Sequence, residues 1–138
     1  MKTTLAIAVG LALALPGPAA AHRLDEYFQA SRLSLTRDGV AVEIDLTAGS
    51  SLAARVSALL DTDASGNISL DEAVAYARCV LAEVLLEVDG VTVPVGLTSV
   101  EAPTLDEIAA GVGTFRVTAV GARRLGHGRV LVRYRNNH

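Results

Sequence analysis

Six candidate oxygen ligands fall in one stretch of twelve, Asp61-Thr62-Asp63-Ala64-Ser65-Gly66-Asn67-Ile68-Ser69-Leu70-Asp71-Glu72. Asp61, Asp63 and Glu72 bring carboxylates, Ser65 and Ser69 hydroxyls, and Asn67 a backbone carbonyl. All are hard donors, with no thiolate or imidazole among them, so the matching ion is a hard cation such as Ca²⁺. Calcium takes about six to eight oxygens, and loop positions 1, 3, 5, 7, 9 and 12 can supply them around one centre. Here those positions hold Asp61, Asp63, Ser65, Asn67, Ser69 (through a water) and Glu72, which can close the shell with both oxygens. Gly66 provides the residue without Cβ that a sharp turn at positive φ favours. Ile68 is the apolar anchor expected to tie the loop's short extended stretch to a core.

The spacing resembles the calcium loop of an EF-hand, D-x-[DN]-x-[DN]-G-x₅-E, with one departure. Ser65 stands where that pattern has Asp or Asn, so an oxygen is kept and a negative charge is lost. The competing reading is a polar loop that only caps the next helix, with Ser69 or Asp71 near its N-terminus. Agreement of the six positions, the glycine, the isoleucine and the flanks favours calcium.

Those flanks read as helices. Ala48-Gly49-Ser50-Ser51 breaks the preceding strand, and Ser50 or Ser51 can serve as an N-cap. Leu52, Val56, Leu59 and Leu60 then form one helical face leading into Asp61. After the loop, Leu70, Ala73, Val74, Ala77, Val80, Leu81 and Val84 line one face of an exiting helix. Glu72, Tyr76, Cys79 and Glu83 fall opposite, which leaves Glu72 free to turn back to the metal.

The rest of the chain reads as strands. Leu33 and Leu35 alternate with polar residues, Asp38-Gly39 turns the chain, and residues 40–47 alternate with period 2. Residues 24–32 can extend the first strand, with Tyr27 and Phe28 as anchors. Residues 85–88 pair through Asp89-Gly90 with Val91, Val93 and Val95, while Pro94 points to an edge or a bulge. Residues 98–102 form a weaker strand. Thr104-Leu105-Asp106-Glu107 is a capping box opening a brief helix that Gly111 and Gly113 end. Residues 114–120 and 129–135 are further strands, with residues 121–128 a loop. The expected fold is α+β, a small antiparallel sheet or sandwich with the EF-hand helix-loop-helix inserted at about residues 51–84.

The start of the chain reads as a secretory leader. Met1-Lys2 is a positive n-region, Leu5 to Leu15 an apolar h-region, and Ala19-Ala20-Ala21 a cleavage site. Residues 1–21 are thus expected to be a signal peptide and residues 22–138 one β-rich domain, exported to the periplasm or the extracellular space. The apolar run is shorter than the about 20 residues of a membrane span, and no second run follows. One cysteine, Cys79, excludes an intramolecular disulfide. The late arginines Arg116, Arg123, Arg124, Arg129, Arg133 and Arg135 have no interleaved aromatics for base stacking, which argues against a nucleic-acid partner.

Several segments resemble the exported N-terminal domain found ahead of the membrane spans in HupE/UreJ-type metal-handling proteins. These are His22-Arg23-Leu24-Asp25-Glu26-Tyr27, Val42-Glu43-Ile44-Asp45-Leu46-Thr47, Pro103-Thr104-Leu105-Asp106-Glu107 and Gly111-Val112-Gly113-Thr114-Phe115-Arg116. The resemblance implies an extracytoplasmic accessory domain, often carrying an EF-hand-like loop; the sequence leaves its partner, a membrane protein or a second copy, open. Transport does not carry over, because this chain has no spans.

Cleavage after Ala21 would expose His22 with a free α-amine, a chelating pair for Ni²⁺ or Cu²⁺ that His127 and His138 could complete if folded nearby. An enzyme is not expected. The chain has no Gly-x-Ser-x-Gly, no phosphate loop and no evident Cys–His pair, and its paired carboxylates Asp25-Glu26 and Asp106-Glu107 sit at element starts.

Overall fold

A computed structural model describes residues 25–138 of the chain. The proposed signal peptide and His22 lie outside them. Two ten-residue strands open the fold, β1 (Tyr27–Thr36) and β2 (Gly39–Ala48), paired antiparallel from Tyr27–Ala48 to Thr36–Gly39. The extension of the first strand back to Tyr27 is therefore present. Every second residue of β2, from Val40 to Ala48, is buried, as period-2 alternation requires of a strand with one covered face.

A 3-10 turn (Ser50–Leu52) leads into α1 (Ala53–Leu60). Neither Ser50 nor Ser51 caps a helix: the turn begins after Gly49 and α1 after Leu52, and neither start carries a side-chain cap bond. Both serines are spent inside the tight turn. The loop follows, then α2 (Leu70–Ala82), then β3 (Val84–Val88) and the two-residue β4 (Val91–Thr92). β5 (Val95–Glu101), α3 (Leu105–Ala109), β6 (Thr114–Ala122) and β7 (Val132–Asn136) complete the order.

The strands form two antiparallel sheets, β1-β2-β6-β5 and β4-β3-β7. Val91, Val93 and Val95 thus do not make one strand. β4 ends at Thr92, the Val93 amide still donates to the Leu86 carbonyl, and the chain then crosses at Pro94 into the other sheet. A proline has no N–H to extend the ladder, which is why the crossing falls there. The weak strand expected at residues 98–102 is the second half of β5, kinked by a register shift between Leu97 and Ser99.

Gly121 belongs to β6 instead of opening a loop. A Cβ there would lie 2.5 Å from Leu86 Cδ2, so a glycine is needed where the two sheets approach. The last strand starts at Val132, later than expected, because Leu131 is tied to Asp89 on both its N–H and C=O. One core joins the sheets and helices: Val42, Ile44, Leu46, Leu60, Ala77, Val80, Leu86 and Phe115 belong to it. The arrangement is a small α+β fold.

α2 buries Ala73, Ala77, Val80 and Leu81 as its stripe predicts, and packs on β5. Val84, expected on that stripe, instead opens β3 after the helix ends at Ala82, and two further stripe residues are exposed. Leu70, first in the helix and next to the exposed loop, is 71% accessible, and Leu59 is 55% accessible. α1 buries Ala53 and Leu60, with Val56 half-buried between them, so Leu59 is rotated off that face.

Candidate metal site

The loop is fixed at both ends by helix chemistry. Asp61 closes α1, its amide donating to the Ser57 carbonyl at 2.8 Å. Ser69 opens α2 as N-cap: Ser69 Oγ accepts from the Glu72 amide, and Glu72 Oε2 accepts from the Ser69 amide at 2.9 Å. Glu72 thus caps α2 with the same carboxylate that the loop pattern assigns to the ion. Between the ends, Gly66 takes φ +85 and Ala64 φ +55. A non-glycine residue in the left-handed region is disfavoured by about 1–2 kcal/mol, so the surrounding contacts must hold Ala64 there. Ile68 is half-buried and packs on the core, as expected of the loop's anchor.

The carboxylates converge. One oxygen from each of Asp61, Asp63 and Glu72 lies within 4.8 Å of the other two. Calcium–oxygen bonds of about 2.3–2.6 Å place ligands across one ion about 4.6–5.2 Å apart, so three oxygens this close fit a single coordination sphere. Ser65 Oγ donates to the Asn67 carbonyl at 3.1 Å, which puts both expected neutral donors side by side. Ser69 is placed differently from the other five, since its hydroxyl donates to Glu72 Oε2 at 2.7 Å. The donor set is all hard oxygens, which suits a hard cation.

Backbone and hydroxyl donors orient the acids. Asp61 accepts from the Ser65 and Gly66 amides, each at 2.9 Å, and Asp63 from the Ser65 amide at 3.0 Å. Glu72 Oε1 accepts from the Thr62 amide at 2.6 Å and the Thr62 hydroxyl at 2.8 Å. The Ser69 hydroxyl and amide, with Thr62, hold the Glu72 carboxyl down at about 2, because hydrogen bonds to the charged form favour it. Thr62 was not foreseen as part of the site. It occupies a position the loop pattern leaves open, so spacing carries no signal for it.

A second cluster also escaped the sequence. Tyr76, placed by periodicity on the outer face, is half-buried, its ring edge-on to Phe115 at 5.0 Å. Its hydroxyl bonds to Tyr27 OH at 2.8 Å and to His138 Nε2 at 3.0 Å. Burial pushes the Tyr27 and Tyr76 phenols up. These residues close one side of a largely apolar groove of about 790 Å³ between α1 and α2, which reaches Thr62 and Glu72. Cys79 borders it and is an exposed free thiol.

Of the histidines, the two among the described residues, His127 and His138, are not brought together. His138 meets Tyr76 and Tyr27 at the start of β1, whereas His127 borders the cavity beside Thr36 and Arg37 at its other end. Ten strand residues separate those ends by about 30 Å, too far for a shared metal. Among the described residues no helix is long and apolar enough to cross a membrane. Comparison with protein-family models, curated proteins and solved structures finds no match to the chain.

Proposed function

We propose that the chain is a calcium-binding module, one ion held in a single EF-hand loop by Asp61, Asp63, Ser65, Asn67, Ser69 and Glu72. The reading is of a binding protein and not an enzyme, in an exported accessory domain whose leader is residues 1–21. The observation that carries it is the convergence of the Asp61, Asp63 and Glu72 oxygens on a turn made by Gly66.

The residues act in distinct ways. Asp61 and Asp63 supply charge at the loop's start, aimed by the Ser65 and Gly66 amides. Ser65 and the Asn67 carbonyl add neutral oxygens. Glu72 is kept ionised and brings the start of α2 against the end of α1. Protein donors already satisfy the Glu72 oxygens, so ion binding exchanges those hydrogen bonds for metal–oxygen bonds and gains only the difference. Three carboxylates and one site suit the weak range of extracellular modules, Kd about 10⁻⁴–10⁻³ M.

Titration of the chelator-stripped chain with CaCl₂ tests this. One ion per chain is expected, with most binding lost in Glu72→Gln. A calcium-dependent rise in melting temperature that survives Glu72→Gln would refute the assignment.

A further inference from the structure

At the far end of β1 from the acidic loop, the β1–β2 turn meets the connection that follows β6. The Leu125 amide donates to the Arg37 carbonyl at 2.8 Å and clamps the two together. Between them lies a concave site of about 660 Å³ bordered by Leu35, Arg37, Arg124, Leu125, His127 and Val130. That volume is typical of small-molecule sites, which run about 300–1,000 Å³.

Its charge is not spoken for. Arg32 pairs with Glu43, Arg116 with Asp45 and Arg133 with Glu87. Among the described residues, no ion pair involves Arg37 or Arg124. Asp38 also borders the site, so its lining residues include two arginines and one aspartate. A guanidinium is a planar fork of N–H donors matched to phosphate and carboxylate oxygens. Beside the forks stand apolar groups: Leu35 is 52% accessible, and Leu125 and Val130 are half-buried. Two cationic forks next to an apolar wall suit a molecule with a compact anionic head and an apolar body.

We propose that this site binds an amphipathic organic anion, its phosphate or carboxylate head on Arg37 and Arg124 and its body on Leu35, Leu125 and Val130. Such a head occurs on free small molecules and on lipids. The inference is independent of the calcium loop.

The test is calorimetric titration of the full chain with n-hexyl phosphate, with inorganic phosphate alongside. Saturable one-to-one binding is expected, tighter for the hexyl ester, weakened by added NaCl, and about tenfold weaker in R37Q or R124Q, as loss of a charged hydrogen bond implies. R135Q, on an exposed arginine of β7, is expected to change nothing. Arg37 and Arg124 are exposed, so the variants keep their far-UV circular dichroism; R124K, which retains charge without the fork, weakens binding less than R124Q. Co-sedimentation with phosphatidylglycerol vesicles but not phosphatidylcholine vesicles, lost in R37Q, assigns the head to a lipid. Hexyl phosphate binding without vesicle binding assigns it to a free anion. No saturable binding of hexyl phosphate, or binding unchanged in the R37Q/R124Q double variant, overturns the proposal.

Discussion

Glu72 does two jobs with one carboxylate: it completes the cap of α2 and reaches back to Thr62 at the loop's start. The consequence is a pH signature. Its carboxyl lies at about 2, against an ordinary 4.5, so its contribution to stability is complete above pH 4.5 and is lost as pH falls through about 2. Carbon-detected NMR titration of the Glu72 side chain is expected to give a midpoint well below 4.5 in the metal-free chain; an ordinary midpoint would show that the Ser69 and Thr62 bonds do not form. Asp45 offers a contrast. Arg116 grips it through two bonds of 2.7 and 2.9 Å and lowers its carboxyl, yet the Arg116 side chain is 38% accessible. Asp45→Ala is accordingly expected to cost no more than about 1 kcal/mol in urea unfolding, the range for solvent-screened pairs.

At the level of elements, what the sequence made legible was whatever depends on neighbours along the chain. The alternation of β2, the capping box at Thr104 and the helical flanks of the loop are local patterns. The capping box of α3 forms as written, with Thr104 and Glu107 bonded in both directions. What stayed illegible depends on distant partners. Valines 91, 93 and 95 read as one strand because alternation does not reveal which sheet each residue joins. Gly121 read as loop because nothing nearby in sequence signals Leu86 pressing on it. Tyr76 read as surface because its partners, Tyr27 and His138, come from the two ends of the described chain. The close approach at Gly121 makes a test. Gly121→Ala would force Leu86 aside and is expected to cost about 1–3 kcal/mol by overpacking, whereas Leu86→Ala costs about 2–5 kcal/mol through the cavity left behind. Combining them is expected to cost less than the sum, since each change makes room for the other.

At the largest scale, the core of the described residues is built from both their sheets and their three helices, with Leu60 of α1 and Ala73 and Ala77 of α2 inside it. The loop's two ends are thus anchored in the same core as the strands. Calcium would then stabilise the entire fold by mass action, about 0.4 kcal/mol at a concentration equal to Kd and about 1.4 kcal/mol at tenfold excess. A domain of this size converts that into a rise of a few degrees in melting temperature. Local tightening without a global shift would mean that the helix pair opens independently of the sheets.

The most direct measurement is calorimetric titration of the chelator-stripped chain beginning at His22 with CaCl₂, followed by NiCl₂ and CuCl₂ and by the same calcium titration of Glu72→Gln. One calcium per chain at submillimolar to millimolar Kd, lost in Glu72→Gln, is the predicted result. No calcium heat, with tight Ni²⁺ binding in its place, would contradict it and leave the acidic loop a structural turn that caps α2.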